Sequence, residues 1–220
     1  MTVDEVIDIL KQKSNEKHLA GMAHFGISGV KALGVNMPDL RKFAKEIKKD
    51  HQLALRLWDT GIHEARILAS MIDDPKQVTP SQMDQWTADF NSWDVCDQVC
   101  GNLFDRTEFA IEKAIEYSES EAEYIKRCGF VLMAEFAVHN KKAEDKEFLK
   151  FFPIIEREAW DERNFVKKAV NWALRQIGKR NSNLQSTAIE TAKRIKQQDT
   201  RAAKWIASNA LSELEKRVIV

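Results

Sequence analysis

Apolar residues recur at three- and four-residue intervals over nearly every segment of this chain, with charged positions between them. That period is the signature of amphipathic helices, each burying one face. The spacing predicts helices over 2–13, 16–25, 38–49, 53–58 and 64–72. Thr79-Pro80-Ser81-Gln82 reads as a start signal, with Thr79 as N-cap, Pro80 at the first helical position and Gln82 at the third. Ser92 is expected to cap a helix over 93–104. Further helices are expected near 106–117, 121–138, 145–158, 163–178, 183–197 and 200–215. No strand, low-complexity tract or domain linker is evident, so the sequence predicts an all-α chain forming a single domain over 1–220.

Helices of this length in succession invite a search for repeats. Glu64-Ala65-Arg66-Ile67-Leu68-Ala69 can be laid over Ile125-Lys126-Arg127-Cys128-Gly129-Phe130, over Val166-Lys167-Lys168-Ala169-Val170-Asn171 and, more loosely, over Ala202-Ala203-Lys204-Trp205-Ile206-Ala207. Arg66, Asp97, Arg127, Lys168 and Lys204 then fall at matching places, at steps of 31, 30, 41 and 36 residues. Steps of that size suit helical pairs in a HEAT-type array. The expected architecture is a right-handed α-α superhelix, a curved solenoid whose concave face is lined by a row of cations interrupted by one carboxylate, Asp97. Trp172 lies four residues after Lys168, and Trp205 follows Lys204. Trp205 is read as core, and Trp172 as either core or surface.

Composition fits this picture and narrows it. Among 220 residues, 44% are hydrophobic, enough for a packed core, while Gly (8) and Pro (4) are scarce. No apolar run approaches the roughly 20 residues that span a bilayer, and the N-terminus lacks the order of a signal peptide. A cytoplasmic, non-membrane protein is expected. Cys96, Cys100 and Cys128 lie in apolar helical patterns and read as buried small hydrophobes. His51, His63 and His139 show no ligand spacing, so neither a metal nor a cofactor is expected. The formal net charge is zero, with 34 basic and 34 acidic residues, yet residues 161–204 hold eleven Lys/Arg against four Asp/Glu. Such a basic stretch suits a polyanionic partner or is a solvated face.

Trp93-Asp94-Val95-Cys96-Asp97 carries the most chemical information. On a helix Trp93 and Asp97 are neighbours, so an indole and a carboxylate lie side by side. Both attract a flat cation. The same residues are also what a core Trp beside a helix-start Asp would look like. Asp94 points away from that face and reads as a helix-start residue.

Over essentially its whole length the chain resembles the AlkD-type DNA alkylation repair family, built from HEAT-like repeats. The resemblance rests on Leu33-Gly34-Val35-Asn36-Met37-Pro38-Asp39-Leu40-Arg41, on Leu57-Trp58 followed by His63-Glu64-Ala65-Arg66, and on Ser92-Trp93-Asp94-Val95-Cys96-Asp97. Lys126-Arg127 and Asn164-Phe165-Val166-Lys167-Lys168-Ala169-Val170-Asn171-Trp172-Ala173-Leu174-Arg175 complete it. It implies a monofunctional DNA glycosylase, acting as a monomer on double-stranded DNA containing alkylated bases and associated with the nucleoid when bound. Its substrates would be cationic N-alkylated purines such as 3-methyladenine and 7-methylguanine. By motif the lesion site falls on Trp93, Asp97, Arg127 and Trp172, with Asp97 catalytic. Arg66, Lys167, Lys168 and Lys204 are expected to contact DNA. Family members often carry a Tyr in the second helix. This chain has Gly21-Met22-Ala23-His24-Phe25-Gly26 there, so His24 or Phe25 takes that place or the contact is missing. The competing readings are a non-catalytic DNA-binding array and a protein scaffold.

Overall fold

The computed structural model describes residues 1–27 and 31–217. Fourteen α-helices follow one another among these residues, and no strand is present beyond an isolated bridge between Lys31 and Ile62. Contacts divide the chain into two compact units, Met1–Thr107 and Glu108–Val220.

The first unit holds α1 (Val3–Gln12), α2 (Glu16–His24), α3 (Met37–Ile47), α4 (His51–Asp59), α5 (His63–Ile72), α6 (Pro80–Ala88) and α7 (Trp93–Asn102), then a 3₁₀ turn, Phe104–Arg106. Side-chain caps start most of these helices by satisfying amide groups that have no partner within the helix. Thr2 and Glu5 form a reciprocal box on α1, and Asn36 and Asp50 cap α3 and α4. Thr79 caps α6 through the amide of Gln82, as its sequence predicts. The reciprocal half of that box is missing, because the Gln82 amide instead reaches Asp73 Oδ2 at 2.6 Å. α5 packs against α3, α4 and α7. The core centres on the stacked indoles of Trp58 and Trp86, 4.0 Å between centroids and 2° from parallel, with Phe90 and Phe104 at their edges.

The second unit holds α8 (Ala110–Ser118), α9 (Glu123–His139), α10 (Asp145–Leu149), α11 (Phe151–Glu158), α12 (Asn164–Gly178), α13 (Ser182–Ile195) and α14 (Arg201–Leu214). The segment expected as one helix over 145–158 is broken at Lys150 into α10 and α11. α9 is the central element, packed against α8 and α12, and α12 in turn packs against α13 and α14. Gly129 lets α8 and α9 meet backbone to backbone. A Cβ there would come within 2.5 Å of the Ser118 amide nitrogen and 2.8 Å of the Ala114 carbonyl oxygen.

The repeat is visible in the contacts themselves. In the first unit, side chains 31 residues apart bond across neighbouring helices and loops: Glu64 with Leu33, Trp58 with Asp89, His63 with Asp94. In the second unit the interval is 38: Arg127 with Phe165, Asn171 with Asn209, Arg194 with Glu156. The sequence register therefore holds in the first unit and slips in the second, where its steps of 41 and 36 differ from 38. Lys167 consequently opposes Trp205. None of the described helices is long and apolar enough to cross a membrane.

Candidate functional site

α7 buries Val95, Cys96, Val99 and Cys100. Trp93 and Asp97, one turn apart, are half-buried on its adjoining surface. Ser92 occupies the N-cap position, but its side chain makes no capping bond. The indole of Trp93 is fixed from outside α7: its Nε1 donates to the Phe25 carbonyl at 2.9 Å. The Phe25 ring is 66% exposed, and the exposed His24 ring meets it edge-on. Where the sequence resemblance leaves His24 or Phe25 in place of a Tyr, it is thus the backbone carbonyl of Phe25 that touches Trp93.

Beside Trp93 opens a cleft of about 530 Å³ between α2 and α7, lined by Met22, Phe25, Met37, Trp93, Asp94 and Gln98 among others. An adjoining recess of about 230 Å³ shares His18, Met22, Met37 and Asp94 and reaches His63 and Glu64. α2 buries no side chain of its own. It is held at its N-terminal end, where Ser14 Oγ and the Asn15 amide both donate to the Leu33 carbonyl, and His18 Nδ1 lies 3.2 Å from the Gly34 carbonyl oxygen. The Leu33–Val35 loop is anchored in turn by Glu64. Its buried carboxylate accepts the amides of Leu33, Gly34 and Val35 at 2.9, 2.6 and 3.3 Å. Gly34 takes φ +75°, and a Cβ there would lie 2.4 Å from the Asn15 carbonyl oxygen. Only glycine meets both demands.

Asp94 is more than a helix-start residue. His63 Nε2 lies 2.8 Å from Asp94 Oδ2, both groups well inside the first unit. Burial alone would raise the Asp94 carboxyl, but the hydrogen bond and charge of His63, together with the Ser92 hydroxyl and the Val95 amide, outweigh it and hold the group below the ordinary carboxylate range. An ionised carboxylate only accepts, so Nε2 of His63 carries the shared proton. His63 begins α5 and Asp94 lies in the first turn of α7, so this bond fixes how α7 is presented. The partnership was findable from sequence. The step of 31 that links Arg66 to Asp97 also links His63 to Asp94.

Arg66 departs from the expected DNA-contacting row. Its side chain is only 13% exposed, lies over the Trp58 ring at 4.9 Å and bonds Asp89 Oδ2 and the Asp89 carbonyl at 3.2 and 3.0 Å. Sequence could not show this, because a cation's fate depends on tertiary partners.

In the second unit, Arg127 is 5% exposed, and its Nη1 donates to the Phe165 carbonyl at 2.6 Å, a direct tie from α9 to α12. Lys126 beside it is equally buried and pairs with Glu158 at 2.7 Å and Asp161 at 3.9 Å. Trp172 is half-buried on α12. Lys168 and Lys204 are exposed, and Lys204 pairs with the fully solvated Asp199 at 2.7 Å. Trp205, read from sequence as core, is instead 40% exposed. The 38-residue register turns it outward on α14, under Lys167, whose Nζ lies 5.8 Å from the ring centroid. Cys96, Cys100 and Cys128 are all buried and form no disulfide.

Residues 6–214 match the model of a family described as DNA alkylation repair enzyme. An uncharacterized protein of Listeria innocua serovar 6a, Lin0241, is 24% identical over 170 residues, covering 74% of this chain and 71% of its own. A solved structure matches with TM-score 0.79 and 20% identity, over 94% of this chain and 93% of that one. It is described as a new family of proteins related to the HEAT-like repeat DNA glycosylases with affinity for branched DNA structures. The fold of this chain is accordingly the all-α HEAT-like repeat fold.

Proposed function

The chain belongs to the DNA alkylation repair enzyme family, and from that premise we propose that it is a monofunctional DNA glycosylase. Its substrates would be cationic N-alkylated purines, 3-methyladenine and 7-methylguanine, in duplex DNA. The observation that supports this reading is the half-buried Trp93–Asp97 pair on α7, of which Trp93 lines a cleft and has its indole held in one orientation by the Phe25 carbonyl.

An alkylated purine already carries positive charge and leaves without a strong general acid. The C1′–N bond breaks heterolytically, its electrons neutralise the purine, and positive charge builds on the deoxyribose. Asp97 is assigned to stabilise that charge. Water then bonds to C1′ and gives up a proton, which Asp97 is assigned to accept. Trp93 is assigned to offer a ring face to cation and sugar, and by the family resemblance Trp172 is assigned the same part. Arg127 is assigned to a phosphate; its bond to the Phe165 carbonyl makes it a preset cation rather than a mobile one. Lys167, Lys168 and Lys204 are assigned to the DNA backbone. Arg66 is left out of that set because its guanidinium is committed to Asp89 and Trp58.

The solvated cations of α12 and α14 favour one alternative, a DNA-binding protein that performs no chemistry. Release of methylated purines from alkylated duplex DNA, with Asp97→Asn in parallel, separates the two. Glycosylase action predicts release by the native protein and a loss of about a hundredfold or more in the variant. Tight binding without release by either protein establishes the alternative.

A further inference from the structure

We propose that the face of the second unit around Trp205 is a stacking platform for an unpaired base of single-stranded DNA. The indole is 40% exposed, and Lys167 lies over it. Lys168, Arg201 and Lys204 are exposed near the starts of the same two helices.

Helix starts favour acids, because the amide ends of the helix are positive, and cations there are unfavourable. Neither α12 nor α14 has an acid in its first turn. Lys167 and Lys168 are the fourth and fifth residues of α12, and Arg201 and Lys204 the first and fourth of α14. At the start of α14 the Glu162 carboxylate already accepts the Ala202 amide at 3.0 Å, so the case for a further anion rests on the exposed cations themselves. The contrast along the α12–α14 seam sharpens the point. Towards the C-terminal ends, Arg175 and Lys179 both meet Glu213. In the middle Asn171 meets Asn209 at 2.8 Å. At the N-terminal ends, at the same 38-residue interval, the cation Lys167 meets an indole instead of a carboxylate. The Lys204–Asp199 pair is fully solvated and readily exchanged for a phosphate.

An exposed ring flanked by cations suits a partner that offers a free π-face next to phosphates. Duplex DNA hides its base faces in the stack, whereas a single strand offers both together. The platform therefore selects for unpaired bases beside the duplex, a preference that backbone contacts from lysines alone would not give.

The test uses full-length protein and three unmodified DNAs: an oligothymidylate, a blunt duplex, and that duplex with a single-stranded thymidine tail. Affinities are read by fluorescence anisotropy at one salt concentration for the native protein, Trp205→Ala and Trp205→Phe. Trp205→Ala is expected to weaken the oligothymidylate and the tailed duplex about tenfold or more while leaving the blunt duplex unchanged. Trp205→Phe, which keeps a ring, should recover most of that loss. Equal affinity of native protein and Trp205→Ala for the tailed duplex overturns the proposal. So does an equal loss on tailed and blunt DNA, which would make Trp205 part of a general backbone surface. None of these DNAs carries a lesion, so the outcome is independent of whether Asp97 catalyses base release.

Discussion

Asp94 is a side chain whose charge the fold itself maintains. Burial opposes its ionisation, and the hydrogen bond and charge of His63, together with the Ser92 hydroxyl and the Val95 amide, overcome that opposition, so its carboxyl titrates below the ordinary range. Asp161 follows the same pattern, with burial outweighed by Arg163, and Glu213 likewise, with burial outweighed by Arg175 and Lys179. A carboxyl that titrates lower in the folded than in the unfolded chain stabilises the fold above its unfolded value, near 4. That stabilisation is lost as pH falls through the depressed folded value. Asp94→Asn removes the charge and weakens the bond to His63, so it is expected to cost about 1–3 kcal/mol at neutral pH. The deficit should begin to shrink as pH drops below about 4 and vanish only below the depressed folded value, where the native carboxyl is protonated too. Urea unfolding of both proteins between pH 3 and 7 measures this. A deficit that stays constant across that range would mean that the variant disturbs packing and that the pair contributes nothing through charge.

At the scale of elements, α8 and α9 meet at Gly129 without side chains between them. A methyl group there has no room, since it would lie against the backbone of Ser118 and Ala114 rather than against a side chain that can turn aside. Overpacking of this kind costs about 1–3 kcal/mol. Gly129→Ala is therefore expected to lower the melting temperature by several degrees although alanine is the better helix former. A variant that melts at or above the native temperature would show that α8 shifts freely along α9. Helix starts were largely legible in the sequence, because a cap is a local affair of three or four residues; Thr79 and the amide of Gln82 are the clear case. The break between α10 and α11 was not legible, since the apolar period runs through it. Nor was the second-unit register, because residues 38 apart are joined by packing and no local pattern marks the interval.

At the scale of the whole chain, the neutral total hides a basic stretch over 161–204 that the fold places in the second unit. Trp93 and Asp97 were legible as a pair because four residues on a helix fix their adjacency. The fate of each cation was not, because it depends on what the fold sets opposite. Arg163, Arg175, Lys179 and Arg194 are matched by Asp161, Glu213 and Glu156. Arg66 is matched by Asp89. Lys167 and Lys168 are left facing an indole and solvent, with Lys204 in a solvated pair. Solvated cations of that second kind release counterions when DNA binds, and each phosphate contact contributes about 0.9 to the slope of log affinity against log salt. Replacing Lys167, Lys168 and Lys204 together by alanine is expected to flatten that slope by roughly 2–3 and to weaken binding to any duplex sequence. Arg66→Ala should leave the slope as it is and instead lower stability, since Trp58 and Asp89 lose their cation. Anisotropy titrations from about 50 to 200 mM salt, paired with melting curves, read both effects. If Arg66→Ala flattens the slope as the triple variant does, Arg66 reaches DNA after all, and the division of cations by their partners in the fold is wrong.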